Sequence, residues 1–171
     1  MVNSLIYMAH YASPLGEITL ACDSEAITGL WFEGQKHFAA PPHAPWKDMG
    51  HLRPEASGIK PLDDARRWLN DYFGGLQPGA PPPLHPGGSP FCQSVYDVLR
   101  TIPYGQTTTY GQIAHRLNVP SARAVGQAVG RNPIALMIPC HRVIGQGGKL
   151  TGFAAGLERK EWLLKLERYL V

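Results

Sequence analysis

The first third of the chain carries three short runs in which apolar residues dominate. These are Leu5–His10, Glu17–Ala21 and Ile27–Phe32, separated by turn residues that include Ser13-Pro14-Leu15-Gly16. Short apolar runs bounded by turn residues predict three strands. Residues 34–60 are rich in Pro and His, show no period, and read as a long loop. A period then appears. Leu62, Ala65, Leu69 and Phe73 recur at helical spacing and predict a helix over Pro61–Phe73, stopped by Gly74-Gly75.

Residues 78–90 hold six of the sixteen prolines, which excludes a helix or a central strand and predicts a semi-rigid linker. The expected division is therefore 1–77, a 78–90 linker, and 91–171. Beyond the linker the pattern is helical. Phe91–Leu99 carries Val95, Val98 and Leu99 on one side. Thr109 and Gln112 form a capping box that starts a second helix, with Ile113, Ala114 and Leu117 as its apolar face. After Asn118-Val119-Pro120, Ser121 caps a third helix over Ala122–Gly130, with Ala122, Val125, Gly126 and Val129 at helical spacing. Two short helices around a tight turn read as a helix-turn-helix. A last helix over Leu157–Leu170 places Trp162, Leu163, Leu166 and Leu170 on one face.

Composition narrows the class. With 171 residues, 44% hydrophobic and 17% charged, the chain can bury a core and is neither disordered nor fibrous. It has no apolar run of membrane-span length and no secretory leader pattern at its start, and three widely spaced cysteines (Cys22, Cys92, Cys140) argue against a disulfide framework. A reducing cytoplasm is expected. Residues 1–90 carry six Lys and Arg against nine Asp and Glu, a balance of −3; residues 91–171 carry ten against four, a balance of +6. Only the second half is suited to meet a polyanion.

Two features there could carry chemistry. The Ala122–Gly130 helix is smooth, with Ala122, Ala124, Gly126, Ala128 and Gly130, and its long polar groups Arg123, Gln127 and Arg131 recur at every fourth position. Such a helix can approach another backbone closely while its cations project into the partner. The same composition also suits a helix packed in the protein core with solvated arginines. The second feature is Pro139-Cys140-His141-Arg142-Val143. A thiol attacks only as thiolate, and neighbouring cations and hydrogen-bond donors raise the thiolate fraction. In an extended segment Cys140 and His141 point to opposite faces, so a bridging water would join them. Cys140 can equally be a small buried hydrophobe. No Cys-x-x-Cys, His-Glu-x-x-His, carboxylate cluster or glycine-rich phosphate loop is present, so neither a metal nor a cofactor is expected.

The second half resembles the O6-alkylguanine-DNA alkyltransferases. The resemblance is carried by Ile102-Pro103-Tyr104-Gly105-Gln106, Tyr110-Gly111-Gln112-Ile113-Ala114, Ala122-Arg123-Ala124-Val125-Gly126, Gly130-Arg131-Asn132-Pro133, the Pro139–Val143 segment and Gly156 through Leu164. It runs from about Phe91 to Leu170 and is very specific; the first lobe matches more loosely, through Ser13–Gly16 and the order of its elements. It implies an α/β (α+β) protein with a ribonuclease-H-like N-terminal lobe and a winged helix-turn-helix C-terminal lobe.

By the same resemblance, the protein is a monomer that binds the minor groove of double-stranded DNA containing O6-alkylguanine. It flips the damaged base and moves the methyl group irreversibly to Cys140, acting on O6-methylguanine and on O4-methylthymine. His141 would be the water-relayed base and Glu167, on the terminal helix, its orienting carboxylate. Tyr110 would turn the 3′ phosphate and donate to the departing guanine. Arg123 would fill the vacated stack, on a DNA-binding surface with Tyr110, Ala122, Gly126 and Gln127. Asn132, Val143, Phe153 and Ala154 would build the base pocket, with the carbonyls of Cys140 and Val143 and the N–H of Ala154 facing the base. Arg142 is assigned to structure rather than chemistry. Phe153-Ala154-Ala155 departs from the family's usual Tyr, small residue and Gly, which implies a tighter or shifted wall; Cys92 and Tyr96 replace the usual Gln and Trp. Three rivals differ in class: a lesion-binding module, which lacks the cysteine; a winged-helix regulator, which leaves Pro139–Arg142 unexplained; and a cysteine hydrolase, which needs an oxyanion site.

Overall fold

The computed structural model describes residues 5–38 and 45–168 and divides the chain into two compact units, Met1–Pro86 and Gly87–Val171. The first is a four-stranded sheet with one helix. Strands β1 (Ile6–Ser13), β2 (Gly16–Cys22) and β3 (Ile27–Phe32) fall on the three expected runs and form an antiparallel meander. The turn between β1 and β2 closes through Ser13 Oγ, which donates to the Gly16 carbonyl at 2.6 Å and accepts from Leu15 N–H at 3.1 Å. Helix α1 (Lys60–Phe73) lies on one face of this sheet, with Leu62, Ala65, Trp68, Leu69 and Tyr72 buried. Phe73, expected on the apolar stripe, is only half-buried, and Tyr72 takes the inward position. Tyr11 of β1 reaches α1 through Asn70 Oδ1 at 2.8 Å.

One strand was not legible. Trp46–His51, inside the stretch read as a loop, is β4, and it pairs in parallel with the free edge of β1, giving the order β3-β2-β1-β4. Its Lys47, Asp48, Gly50 and His51 carry no alternating apolar pattern because an exposed edge strand buries no face. Backbone pairing and polar contacts hold it instead: His51 Nε2 lies 2.9 Å from Glu17 Oε2. Within the Pro/Gly-rich segment, His85 N–H donates to the Ile27 carbonyl at 2.8 Å, Pro83 accepts from Ile27 N–H at 2.9 Å, and Trp68 Nε1 donates to the Gly79 carbonyl at 3.0 Å.

In the second unit, Ser89 caps α2 (Pro90–Leu99), with Pro in its first turn and Cys92, Val95, Tyr96, Val98 and Leu99 buried. The expected capping box forms at Thr109, and α3 (Tyr110–Arg116) follows it. Asn118 ends α3 in the left-handed region at φ +55°, a conformation Asn tolerates. Ser121 accepts from Ala124 N–H at 3.1 Å and starts α4 (Ala122–Gly130). Helices α3 and α4 pack together around the turn that joins them, as a helix-turn-helix. The buried face of α4 is Val125, Ala128 and Val129; Ala122, expected inward, is exposed, and Gly126 is half-buried.

Helix α5 spans Leu157–Leu166, shorter than the expected Leu157–Leu170; Glu167 closes it and Arg168 turns away at φ +63°. Leu170 lies outside the described residues. The buried stripe is also rotated from the expectation: Lys160, Leu163, Leu164 and Glu167 face inward, whereas Trp162 and Leu166 are half-buried. Among the described residues, no helix is long and apolar enough to cross a membrane.

Candidate active site and DNA-facing surface

Cys140 sits in a turn that the preceding residues build. Past α4, buried Asn132 accepts at Oδ1 from Ile134 N–H at 3.0 Å and donates from Nδ2 to the Ile138 carbonyl at 2.8 Å. The loop is thereby closed on itself, with Leu136 held at φ +68° among buried Ile134, Met137 and Ile138. Cys140–Arg142 form one 3-10 turn, and Val143–Ile144 (β6) pair in parallel with Thr108–Thr109 (β5). That two-residue ladder places the start of α3, and so Tyr110, beside the cysteine segment.

Cys140 is only 6% exposed. Burial raises its pKa; hydrogen bonds from the Asn132 amide and from the backbone N–H groups of Cys140 and His141, and the charge of Lys160, pull against that without reversing it. His141 is fully buried, with Nε2 2.7 Å from Glu167 Oε1. Burial lowers its pKa against the opposing pull of the carboxylate, so the neutral ring is favoured. The tautomer that donates from Nε2 leaves Nδ1 as the basic nitrogen.

Glu167 is not the surface carboxylate that its place near the end of a helix would favour. It is 3% exposed and turned inward. Arg142 donates to it twice, Nε to Oε2 at 2.9 Å and Nη2 to Oε1 at 2.9 Å, and Gly105 N–H reaches Oε2 at 3.1 Å. Burial alone would raise the carboxyl pKa; the His141 and Arg142 hydrogen bonds and charges outweigh it and hold it far below the usual carboxylate range. Arg142 also donates from Nη1 to the Ile102 carbonyl at 2.7 Å. The reading of Arg142 as structural thus misses that the structure it supports is the carboxylate on His141. Gly105 lies at φ +74°, where a Cβ would meet the Glu167 carbonyl at 3.0 Å, so glycine suits this position in both respects.

Tyr110 Oη donates to the carbonyls of Thr151 at 3.0 Å and Gly152 at 3.2 Å. The same two carbonyls, with that of Val143, accept from Nζ of Lys160. Sequence reading missed Lys160, although its spacing signal was present: Lys160, Leu163, Leu164 and Glu167 recur at i, i+3, i+4 and i+7, which puts two charged residues on an apolar stripe. The Val143 carbonyl, expected to face a base, is engaged by that lysine. Phe153 and Ala154 are half-buried in a turn closed by Gly156 N–H to the Phe153 carbonyl at 2.9 Å.

On α4, Arg123 and Gln127 are exposed, and Gly126 faces the Tyr110 ring, whose Cδ1 would be 3.7 Å from an added Cβ. An open groove beside them is lined by Tyr110, Gln112, His115, Ala122 and Gln146; of these, His115 and Gln146 were not singled out in the sequence, and Gln112 only as part of a capping box and a motif. A smooth helix with solvated cations next to a groove can receive a polyanion. Among the described residues, no group of three or more His, Cys, Asp or Glu could hold a metal ion.

Comparison with known proteins agrees with this geometry. The profile of the 6-O-methylguanine DNA methyltransferase ribonuclease-like domain matches residues 6–77, and that of the DNA binding domain of the same proteins matches residues 90–169. A methylated-DNA–protein-cysteine methyltransferase of Methanosarcina acetivorans is 45% identical over 164 residues, covering 95% of this chain and 98% of that protein. One from Shigella flexneri is 42% identical, covering 94% of each. The crystal structure of Mycobacterium tuberculosis OGT in complex with DNA superposes with a TM-score of 0.80 at 38% identity, covering 95% of this chain and 92% of that one. With both profiles matched and these relatives aligned along nearly the whole length, the chain belongs to the 6-O-methylguanine DNA methyltransferase family.

Proposed function

We propose that this protein is a methylated-DNA–protein-cysteine methyltransferase that repairs O6-methylguanine, and also O4-methylthymine, in duplex DNA by one irreversible methyl transfer to Cys140. The observation that carries this reading is the buried chain Cys140–His141–Glu167–Arg142, a thiol followed by a neutral imidazole whose carboxylate partner is clamped at 2.7 Å. A recognition module alone has no use for it.

The reaction balances simply. The Cys140 thiol proton passes through a water to Nδ1 of His141, and Glu167 stabilises the imidazolium that forms. The thiolate attacks the methyl carbon, forming the S–CH3 bond as the CH3–O6 bond breaks. The electron pair stays with the guanine, which takes a proton from Tyr110; Tyr110 recovers one from water as the His141 imidazolium returns its own, and the restored guanine remains attached to its strand. The S–CH3 thioether is stable and no group in the site takes the methyl back, so the thiol is not regenerated and the protein turns over once.

Burial of Cys140 argues for base flipping, because a stacked base cannot reach the thiol of a residue that is only 6% exposed. We place α4 in the minor groove, with Arg123 filling the gap left by the base and Tyr110 turning the 3′ phosphate. Ala122, Gly126 and Gln127 share that surface, while Asn132, Val143, Phe153 and Ala154 bound the pocket. The protein acts as a monomer in the cytoplasm. Peptide mass spectrometry after incubation with an O6-methylguanine oligonucleotide tests the reading. One methyl on the Cys140 peptide with no second turnover is expected; tight binding with unmodified Cys140 would replace it with lesion recognition alone.

A further inference from the structure

Lys160 has no part in the chemistry above, yet it is completely buried on α5. Its ammonium has three N–H donors, and three carbonyls take them: Thr151 at 2.8 Å, Gly152 at 3.2 Å, and Val143. Tyr110 Oη donates to two of these same carbonyls, and Nζ lies 6.0 Å from the centroid of the Tyr110 ring. The Val143 carbonyl directly follows the 3-10 turn that carries the thiol.

We infer that Lys160 is a positioning residue whose charged ammonium cross-braces the pocket loop to the Cys140 segment, setting Tyr110 against the thiol. This rests on Cys140 being the methyl acceptor. A hydrophobic stem with a neutral end would fill the same space, so what the lysine adds is three donors and a positive charge that attracts the thiolate. The titratable groups that face it are Cys140 and His141 from the 3-10 turn and Tyr110 from α3. Burial lowers the Lys160 pKa to about 8, partly opposed by Cys140. Mild alkali therefore removes one of three donors and the charge together, while the thiol becomes more ionised.

The test is single-turnover methyl transfer from an O6-methylguanine duplex, over about pH 6.5 to 9.5, for the wild type, Lys160→Arg and Lys160→Met. The wild-type limiting rate should rise and then fall on the alkaline side. Lys160→Arg should move that falling limb beyond the range, since a guanidinium stays charged. Lys160→Met should lose the limb and run roughly tenfold slower at neutral pH. The half-saturating duplex concentration should stay within about twofold throughout, because the exposed face of α4 is untouched. A wild-type rate with no falling limb, or a limb that Lys160→Arg leaves in place, overturns the inference even where Lys160→Met fails to fold. So does a Lys160→Met protein with the wild-type rate and profile. Methyl-Cys140 formed with Lys160-independent kinetics overturns only this inference; a wild type with no methyl on Cys140 overturns the acceptor assignment and this inference with it.

Discussion

Arg142 holds Glu167 in a two-pronged grip, with Nε and Nη2 each 2.9 Å from a separate carboxylate oxygen, and the same carboxylate lies 2.7 Å from His141. Arg142, assigned from the sequence to structure rather than chemistry, thus supports the proposed relay at one remove, by fixing the carboxylate that holds His141. Neither charge can be removed alone without leaving its partner buried.

Arg142→Met should accordingly destabilise the fold by about 3–5 kcal/mol, the cost of an unpaired buried charge. Arg142→Lys should recover only part of it, since a point charge cannot grip both oxygens. Chemical denaturation of both variants checks this; a melt like the wild type's for Arg142→Met would remove the clamp as a stability element.

Glu167→Gln keeps the volume but loses the charge. Methyl transfer should slow by roughly tenfold to hundredfold, the scale of an impaired base, while binding to methylated duplex is unchanged. Rapid-quench transfer beside a gel-shift titration separates the two, and an unchanged transfer rate would take Glu167 out of the relay.

The same pair sets how stability falls in acid. His141 has a folded pKa below its ordinary value, so the unfolded chain takes up its proton first, and stability begins to fall as pH drops through about 6.5. Glu167 has a folded pKa far below its ordinary value; its contribution is complete above the unfolded carboxylate pKa, and falls away below about pH 4.3 toward the folded value. Glu167→Gln should flatten the second segment, read as denaturation midpoints across pH.

Arg123→Ala should weaken repair of duplex DNA more than reaction with free O6-benzylguanine, because only the duplex requires a base to leave the stack. Equal losses on both substrates would count against the role of Arg123 in the gap. Binding to duplex should also weaken with added salt, as released counterions require.

Gly152→Ala tests the loop beneath Tyr110. Gly152 sits at φ +51°, and a Cβ there would lie 3.4 Å from Tyr110 Oη. The backbone penalty of about 1–2 kcal/mol should lower the melting midpoint, and crowding of Tyr110 should slow transfer. Thermal melting and single-turnover transfer report the two effects.

Local rules were enough for what local physics decides. Helix α1 was legible because it buries one face at helical spacing, and strands β1–β3 because short apolar runs stand between turn residues. The starts of α3 and α4 were legible because Thr109, Gln112 and Ser121 satisfy orphan N–H groups within one turn. A candidate acceptor cysteine and the helix-turn-helix could be named because the motif residues lie close in sequence and resemble a known family. Strand β4 was not legible, since an exposed edge strand is selected by the partner's free backbone rather than by its own side chains. Nor were the inward turn of Glu167, its grip by Arg142 and the burial of Lys160. Their partners lie 26, 25 and up to 17 residues away along the chain, and at Gly105 62 away, beyond the reach of any helical or strand period. A charge on an apolar stripe is a cost until a distant group compensates it. The sequence alone determined that such charges stand at positions 160 and 167; only the tertiary structure decided which carbonyls and cations would meet them.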